Sequence, residues 1–145
     1  MASTSEPSQA TPTSALNKTG NEALDRDVER LAGLGYQIEV LCDGLQVGVV
    51  VCGYPLSKGA YSAGQTDILL RTDLAYPQSA MDMLWVDQDL TLANGSIPAG
   101  GESLEVLFGR TWRRLSWHRN LPWKPGRDEL VGHFEFCVAR LQRSE

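Results

Sequence analysis

The chain has 145 residues, 42% of them hydrophobic and 21% charged, with a formal net charge of -5 at neutral pH. That is enough for one ordinary globular domain and too little for two, and an acidic total repels nucleic acid at long range, so a nucleic-acid protein is not the expectation. Three cysteines, an odd number with no Cys-x-x-Cys and no Cys/His cluster at zinc-ligand spacing, argue for buried thiols in a reducing compartment rather than a secreted disulfide scaffold or a metal site.

Residues 2 to 20 are mostly polar, with little to bury, and ordering them would cost backbone entropy without a packing return; residues 1–20 are expected to be a disordered tail and 21–145 the domain. The tail has neither a basic start nor an apolar stretch of the kind a signal peptide carries, and no apolar run reaches the roughly 18 to 20 residues of a membrane span. A cytoplasmic protein with no membrane partner is the expectation. From Asn21, a candidate N-cap, Leu24, Val28 and Leu31 form one apolar stripe among acidic and basic neighbours, which predicts a short amphipathic helix ended at Gly33 and Gly35. Tyr36 to Cys42 and Leu45 to Tyr54 read as two strands joined by a tight turn at Asp43-Gly44. Asp67 to Arg71 reads as a third strand and Met83 to Val86 as a fourth, with Tyr76-Pro77 interrupting between them. Glu105 to Phe108 is a candidate short strand, and Pro122, Pro125 and Gly126 punctuate the chain between it and the last helix. Asp128 is a candidate N-cap for that helix, whose stripe is Leu130, Phe134, Cys137 and Leu141. The predicted fold class is α+β: an N-terminal helix, a four-stranded antiparallel meander, an active-site loop and a C-terminal helix.

Charge is uneven. Arg110, Arg113, Arg114, Arg119, Lys124 and Arg127 fall in one stretch with no Asp or Glu among them. Such a stretch is either a solvated face or a docking surface for an acidic partner, with Trp117 among its contacts. Interleaved with Trp112, Trp117 and Trp123, it also suggests single-strand nucleic-acid binding, which the acidic total disfavours.

Two passages carry a resemblance. The run from Asp67 to Val86, with Ala75-Tyr76-Pro77 and Met81-Asp82-Met83-Leu84-Trp85-Val86, resembles the third and fourth strands of ubiquitin-conjugating enzymes. Trp123-Lys124-Pro125, with Asp128 then opening a helix, resembles the Trp-x-Pro element after that superfamily's active-site loop. Together with Trp112, Ser116 and His118 the pattern is similar to the bacterial branch called prokaryotic ubiquitin-conjugating family E, across roughly Tyr54 to Leu141. The resemblance implies a UBC-like fold and a role as carrier. The chain would accept a ubiquitin-like modifier from an activating enzyme, hold it as an ester, and pass it to an amine on a target protein.

The superfamily's cysteine nucleophile, counted back from the Trp-x-Pro element, would fall near Leu115 or Ser116, and no cysteine stands there. Two readings are open: a serine nucleophile at Ser116 carrying an oxyester, or an inactive relative that only binds the modifier or the activating enzyme. A serine hydroxyl needs a base and an oxyanion donor. His118 and Asn120 are of the right types, and in an extended segment their side chains would share a face with Ser116. Cys137, on an apolar stripe, reads as core; Cys42 and Cys52, in or beside strands, read as structural. His118 and His133 lie on different elements, which argues against zinc, and no phosphate-binding glycine-rich loop is present; no cofactor is expected.

Overall fold

The computed structural model describes residues 18–143. In chain order the eight elements are α1 (Glu22–Ala32), β1 (Gln37–Asp43), β2 (Gln46–Pro55), β3 (Gln65–Asp73), β4 (Leu84–Asp87), β5 (Ser103–Leu107), β6 (Arg110–Leu115) and α2 (Leu130–Leu141). The α+β class holds, but the meander of four strands is corrected to one six-stranded antiparallel sheet in the order β1-β2-β3-β4-β6-β5. The first four strands are those read from the sequence, and the candidate short strand at Glu105 to Phe108 is β5; β6 is the strand the sequence reading lacked. The additional pair, a hairpin turned by Phe108 and Gly109 with φ of 52° and 75°, takes in half of the basic stretch that reads as a loop. Arg110, Arg113 and Arg114 therefore sit in β6.

Alternation divides the sheet. Ile38, Val40, Val47, Val49, Val51, Ile68, Leu70, Leu84, Val86 and Leu115 face the two helices and form the main core with Leu24, Val28, Leu31, Leu130, Phe134, Cys137 and Leu141. Both predicted stripes are thus the buried faces of their helices, as the 3.6-residue period requires. The opposite sheet face carries a smaller cluster of Val50, Leu69, Trp85 and Trp112. Gly48 permits it: a Cβ there would stand 2.7 Å from the Phe108 ring and 2.8 Å from Leu69.

Asn21 caps α1, its side chain accepting from Leu24 N at 2.9 Å. The α2 cap is Glu129, whose carboxylate accepts from Gly132 N at 2.8 Å, and not Asp128; Asp128 instead closes the preceding turn. Of the expected tail, residues 1–17 lie outside the described residues. Thr19 is tied down, its amide and hydroxyl each donating to Asp25 Oδ1 at 2.9 Å.

Tyr76 joins the two helices. Its buried hydroxyl donates to Asp27 Oδ2 of α1 at 2.6 Å and accepts from Leu130 N, the first residue of α2, at 2.8 Å. Asn21 Nδ2 donates to the carbonyls of Leu74 and Tyr76, at 3.0 and 2.6 Å. Tyr76→Phe leaves a carboxylate and an amide without their buried partner, which costs about 2 to 3 kcal/mol. The expected result in a thermal melt is a midpoint lowered by about 6 to 12 °C.

Candidate functional site

The segment after β6 is fixed by its backbone. Ser116 N donates to Gly100 O at 3.1 Å, and Trp117 N turns back to Leu115 O at 2.8 Å. Gly100, at φ 74°, has no side chain in the way: a Cβ would lie 3.3 Å from Ser116 N. Trp117 is 1% exposed, its ring in the main core and its Nε1 donating to Ala99 O at 2.6 Å. With Trp117 drawn inward, Ser116 and His118 leave the turn on either side of it.

His118 emerges into a cleft of about 260 Å³ lined by Ala80, Met81, Asp82 and residues 118–123. Its Nδ1 stands 3.0 and 2.9 Å from Oδ1 and Oδ2 of Asp82. Asn120 lines the same cleft. One wall is held by Trp123, whose Nε1 donates to Pro77 O at 2.8 Å, and by Asp128, which accepts from Lys124 N at 2.7 Å. Hydrogen bonds from Arg127 and from the Lys124 amide hold the Asp128 carboxyl down to about 2. A second cleft of about 320 Å³, lined in part by Arg71 and Trp85, shares Ala80 and Asp82 with the first.

Of the expected catalytic residues, His118 and Asn120 are brought together and Ser116 is set apart. Ser116 does not line the cleft, and its Oγ accepts from Arg114 Nε at 3.1 Å rather than bonding to His118. Asp82 was missed by sequence reasoning. It lies 36 residues from His118 in a stretch read as strand entry, and the local pattern gave no sign that a carboxylate there would meet an imidazole.

The basic stretch also finds counter-charges that lie outside it. Arg110 bridges Asp67 and Asp87 at 3.0 and 2.7 Å, with its guanidinium 3.9 Å from the Trp112 ring centre. Arg114 meets Glu105 at 2.7 Å. Arg119 and Arg127 meet Asp128 at 3.5 and 2.8 Å. Arg113 is buried and donates to Gly101 O at 2.6 Å. Lys124 keeps an exposed side chain. With Trp112 and Trp117 each 1% exposed, neither ring is open to stack on a base.

The thiols stand away from the cleft lining. Burial pushes Cys137 well above the ordinary thiol range and Cys52 up to about 12, the latter helped by Glu39 and Asp67. Cys42 corrects the expectation of buried thiols, for it is exposed, although partial burial and Asp25 raise its pKa as well. Reactivity follows the thiolate fraction and access. In a native-state titration with a disulfide reagent Cys42 is expected to react first, Cys52 slowly, and Cys137 only on unfolding; mass spectrometry of the labelled peptides checks the order.

No helix among the described residues is long and apolar enough to cross a membrane, and none of their His, Cys, Asp and Glu groups forms a cluster able to hold a metal ion. In comparisons with known proteins, no curated protein and no solved structure matches this chain. The profile of the Prokaryotic E2 family E does match, over residues 23–144, which take in all six strands, α2 and all of α1 but its first residue. A match across most of the chain shows the family: this protein belongs to the Prokaryotic E2 family E, an E2-like family with a ubiquitin-conjugating fold.

Proposed function

We propose that this protein accepts the C-terminal acyl group of a ubiquitin-like modifier from an activating enzyme, holds it as an oxyester on Ser116, and transfers it to an amine of a target protein. The observation that carries the reading is the His118–Asp82 pair, opening onto a cleft that also presents Asn120. Placement of the thiols supports it too, since none lines the cleft and two are disarmed by burial.

In loading, Ser116 Oγ attacks the activated carbonyl carbon, the activating enzyme's leaving group departs, and the hydroxyl proton passes to His118 Nε2. In transfer, with the first proton already passed on to the departed leaving group, His118 Nε2 takes the target amine's proton as the amine attacks the ester carbonyl, the C–O bond to Ser116 breaks, and His118 delivers that proton to the departing oxygen. Arg114 Nε, at 3.1 Å from that oxygen, leaves the hydroxyl hydrogen free for the base and stabilises the negative charge that grows on Oγ as it leaves. Asn120 donates to the carbonyl oxygen in both tetrahedral intermediates. Ser116 and His118 are not hydrogen-bonded at rest. Catalytic hydrogen bonds are often loose without substrate and tighten when it binds, so the reading requires the turn at 116–118 to close on the acyl group.

That same separation favours a second reading, a binding module that holds the modifier or the activating enzyme without accepting it. Covalent loading separates the two. With cognate modifier, activating enzyme and ATP, a reductant-resistant, base-labile adduct lost in Ser116→Ala and retained when all three cysteines are replaced is the expected result. No adduct with an activating enzyme that charges itself favours the binding module, and an adduct lost only with the cysteines returns the chemistry to a thioester. Asn120→Ala is expected to slow transfer by about 100- to 1000-fold; an unchanged single-turnover rate removes Asn120 from the mechanism.

A further inference from the structure

An exposed ion pair is ordinarily worth little, because water competes for both partners and two side chains must be frozen to form it. His118 and Asp82 have 57% and 54% of their side chains exposed. This pair nevertheless differs from a surface contact in how its acidic half is held. Met83 N donates to Asp82 Oδ1 at 3.0 Å, so the carboxylate is fixed by the next residue's backbone before the imidazole arrives. Met83 itself has φ 60°, a left-handed conformation that is strained for a non-glycine residue and persists only where the surroundings enforce it. The enforcing group is on α2, where His133 Nε2 stands 2.8 Å from Met83 O.

A carbonyl oxygen only accepts and an ionised carboxylate only accepts, so each histidine must present an N–H to its partner. His133 therefore carries its hydrogen on Nε2, which leaves its buried Nδ1 bare, in accord with the lack of any partner for that atom among the described residues. His118 carries its hydrogen on Nδ1, and its Nε2 is the bare nitrogen. A neutral imidazole is otherwise free to place its hydrogen on either nitrogen. The His118 Nδ1–H is shared between the two oxygens of the one Asp82 carboxylate.

We propose that Asp82 is a positioning residue, set by the Met83–His133 strut from α2, that holds His118 in the Nδ1–H tautomer and so makes Nε2 the nitrogen able to take a proton. The tautomer part stands on geometry alone; the catalytic use of Nε2 rests on the carrier reading above.

The chain has two histidines, and the structure assigns them opposite tautomers, which makes each the internal control for the other. Two-bond proton–nitrogen spectra of the full chain, labelled at the imidazole nitrogens and recorded near pH 9 where imidazoles are neutral, read both directly. His118→Gln assigns the resonances. Expected for the wild type is one Nε2–H ring, His133, and one Nδ1–H ring, His118. Asp82→Ala is expected to release His118 into a tautomer mixture while His133 is unmoved. Asp82→Asn keeps an acceptor at the same place and is expected to retain the Nδ1–H form. A wild-type His118 already in the Nε2–H form, or one indifferent to Asp82→Ala, overturns the proposal. A merely structural Asp82 would alter His133 or the melting temperature and leave the His118 tautomer alone. In the loading assay Asp82→Ala is expected to slow transfer by at least about tenfold, with Asp82→Asn partly restoring it. Correct tautomers with no adduct on any variant overturn the carrier reading and leave the positioning of His118 intact.

Discussion

The Tyr76 hydroxyl is the constraint on which the rest of the structure depends. It is one oxygen making two buried hydrogen bonds, to the Asp27 carboxylate of α1 and to the first amide of α2. Burial and the hydrogen bond to Asp27 raise its pKa far beyond the ordinary phenol range, so the hydroxyl keeps its proton and can donate and accept at once. The first amides of a helix have no partner within it, and supplying one from a side chain fixes where α2 begins. The residues on either side of Tyr76 extend that control. Asn21, the cap of α1, reaches the carbonyls of Leu74 and Tyr76, and Pro77 receives the indole of Trp123. One irregular crossing between β3 and β4 thereby sets the start of both helices and one wall of the cleft.

The parts of this arrangement that were legible in the sequence are those that local periodicity dictates. Leu24, Val28 and Leu31, and again Leu130, Phe134, Cys137 and Leu141, had to share a face if their segments were helical, and both sets are buried. The β-branched runs of β1, β2 and β3 announced themselves in the same way. Strand β5 was legible as the candidate strand at Glu105 to Phe108, but β6 was not, because its pattern is masked by charge. Arg-Thr-Trp-Arg-Arg-Leu reads as a polar loop, yet Arg113 points to the inner side in register with Leu104 and Val86. It is buried there, with its Nη1 bonded to a carbonyl and its Nε without a partner among the described residues. Gly109 after Phe108 was the available signal of a tight turn, and it becomes persuasive only once the strands on both sides are recognised.

Contacts between distant segments were illegible for a different reason. Nothing within ten residues of His118 indicates Asp82, since β4, β5 and β6 must form before the two approach. The basic stretch illustrates the converse. A run of cations with no acid among them looks like an open docking surface, but Asp67, Asp87 and Glu105 come to it across the sheet. Arg110 shows the physics most clearly. It spans two carboxylates that would repel each other and covers the Trp112 ring, so the same side chain relieves a like-charge contact and seals an apolar one. Burial and Asp67 raise the pKa of Asp87 even so.

The cleft is therefore assembled from two supports that share an origin. Trp123 is anchored to Pro77, beside the residue that places the start of α2. Asp82 is set through Met83, whose carbonyl is held by His133 in the first turn of that helix. A displacement of the α2 N-terminus would move both walls together, because Tyr76 and His133 act on the helix within one turn, at Leu130 and at His133 itself. Rigid elements hold a reacting geometry better than loops do, and here residues on loops acquire that rigidity from a helix they do not belong to. The carrier role proposed above, which requires an activating enzyme, a modifier and a target amine to meet at one place, would gain from such a frame. In that proposal His118 can stay exposed to three partners in turn while Met83 and His133, which hold the carboxylate that orients it, remain fastened to the core.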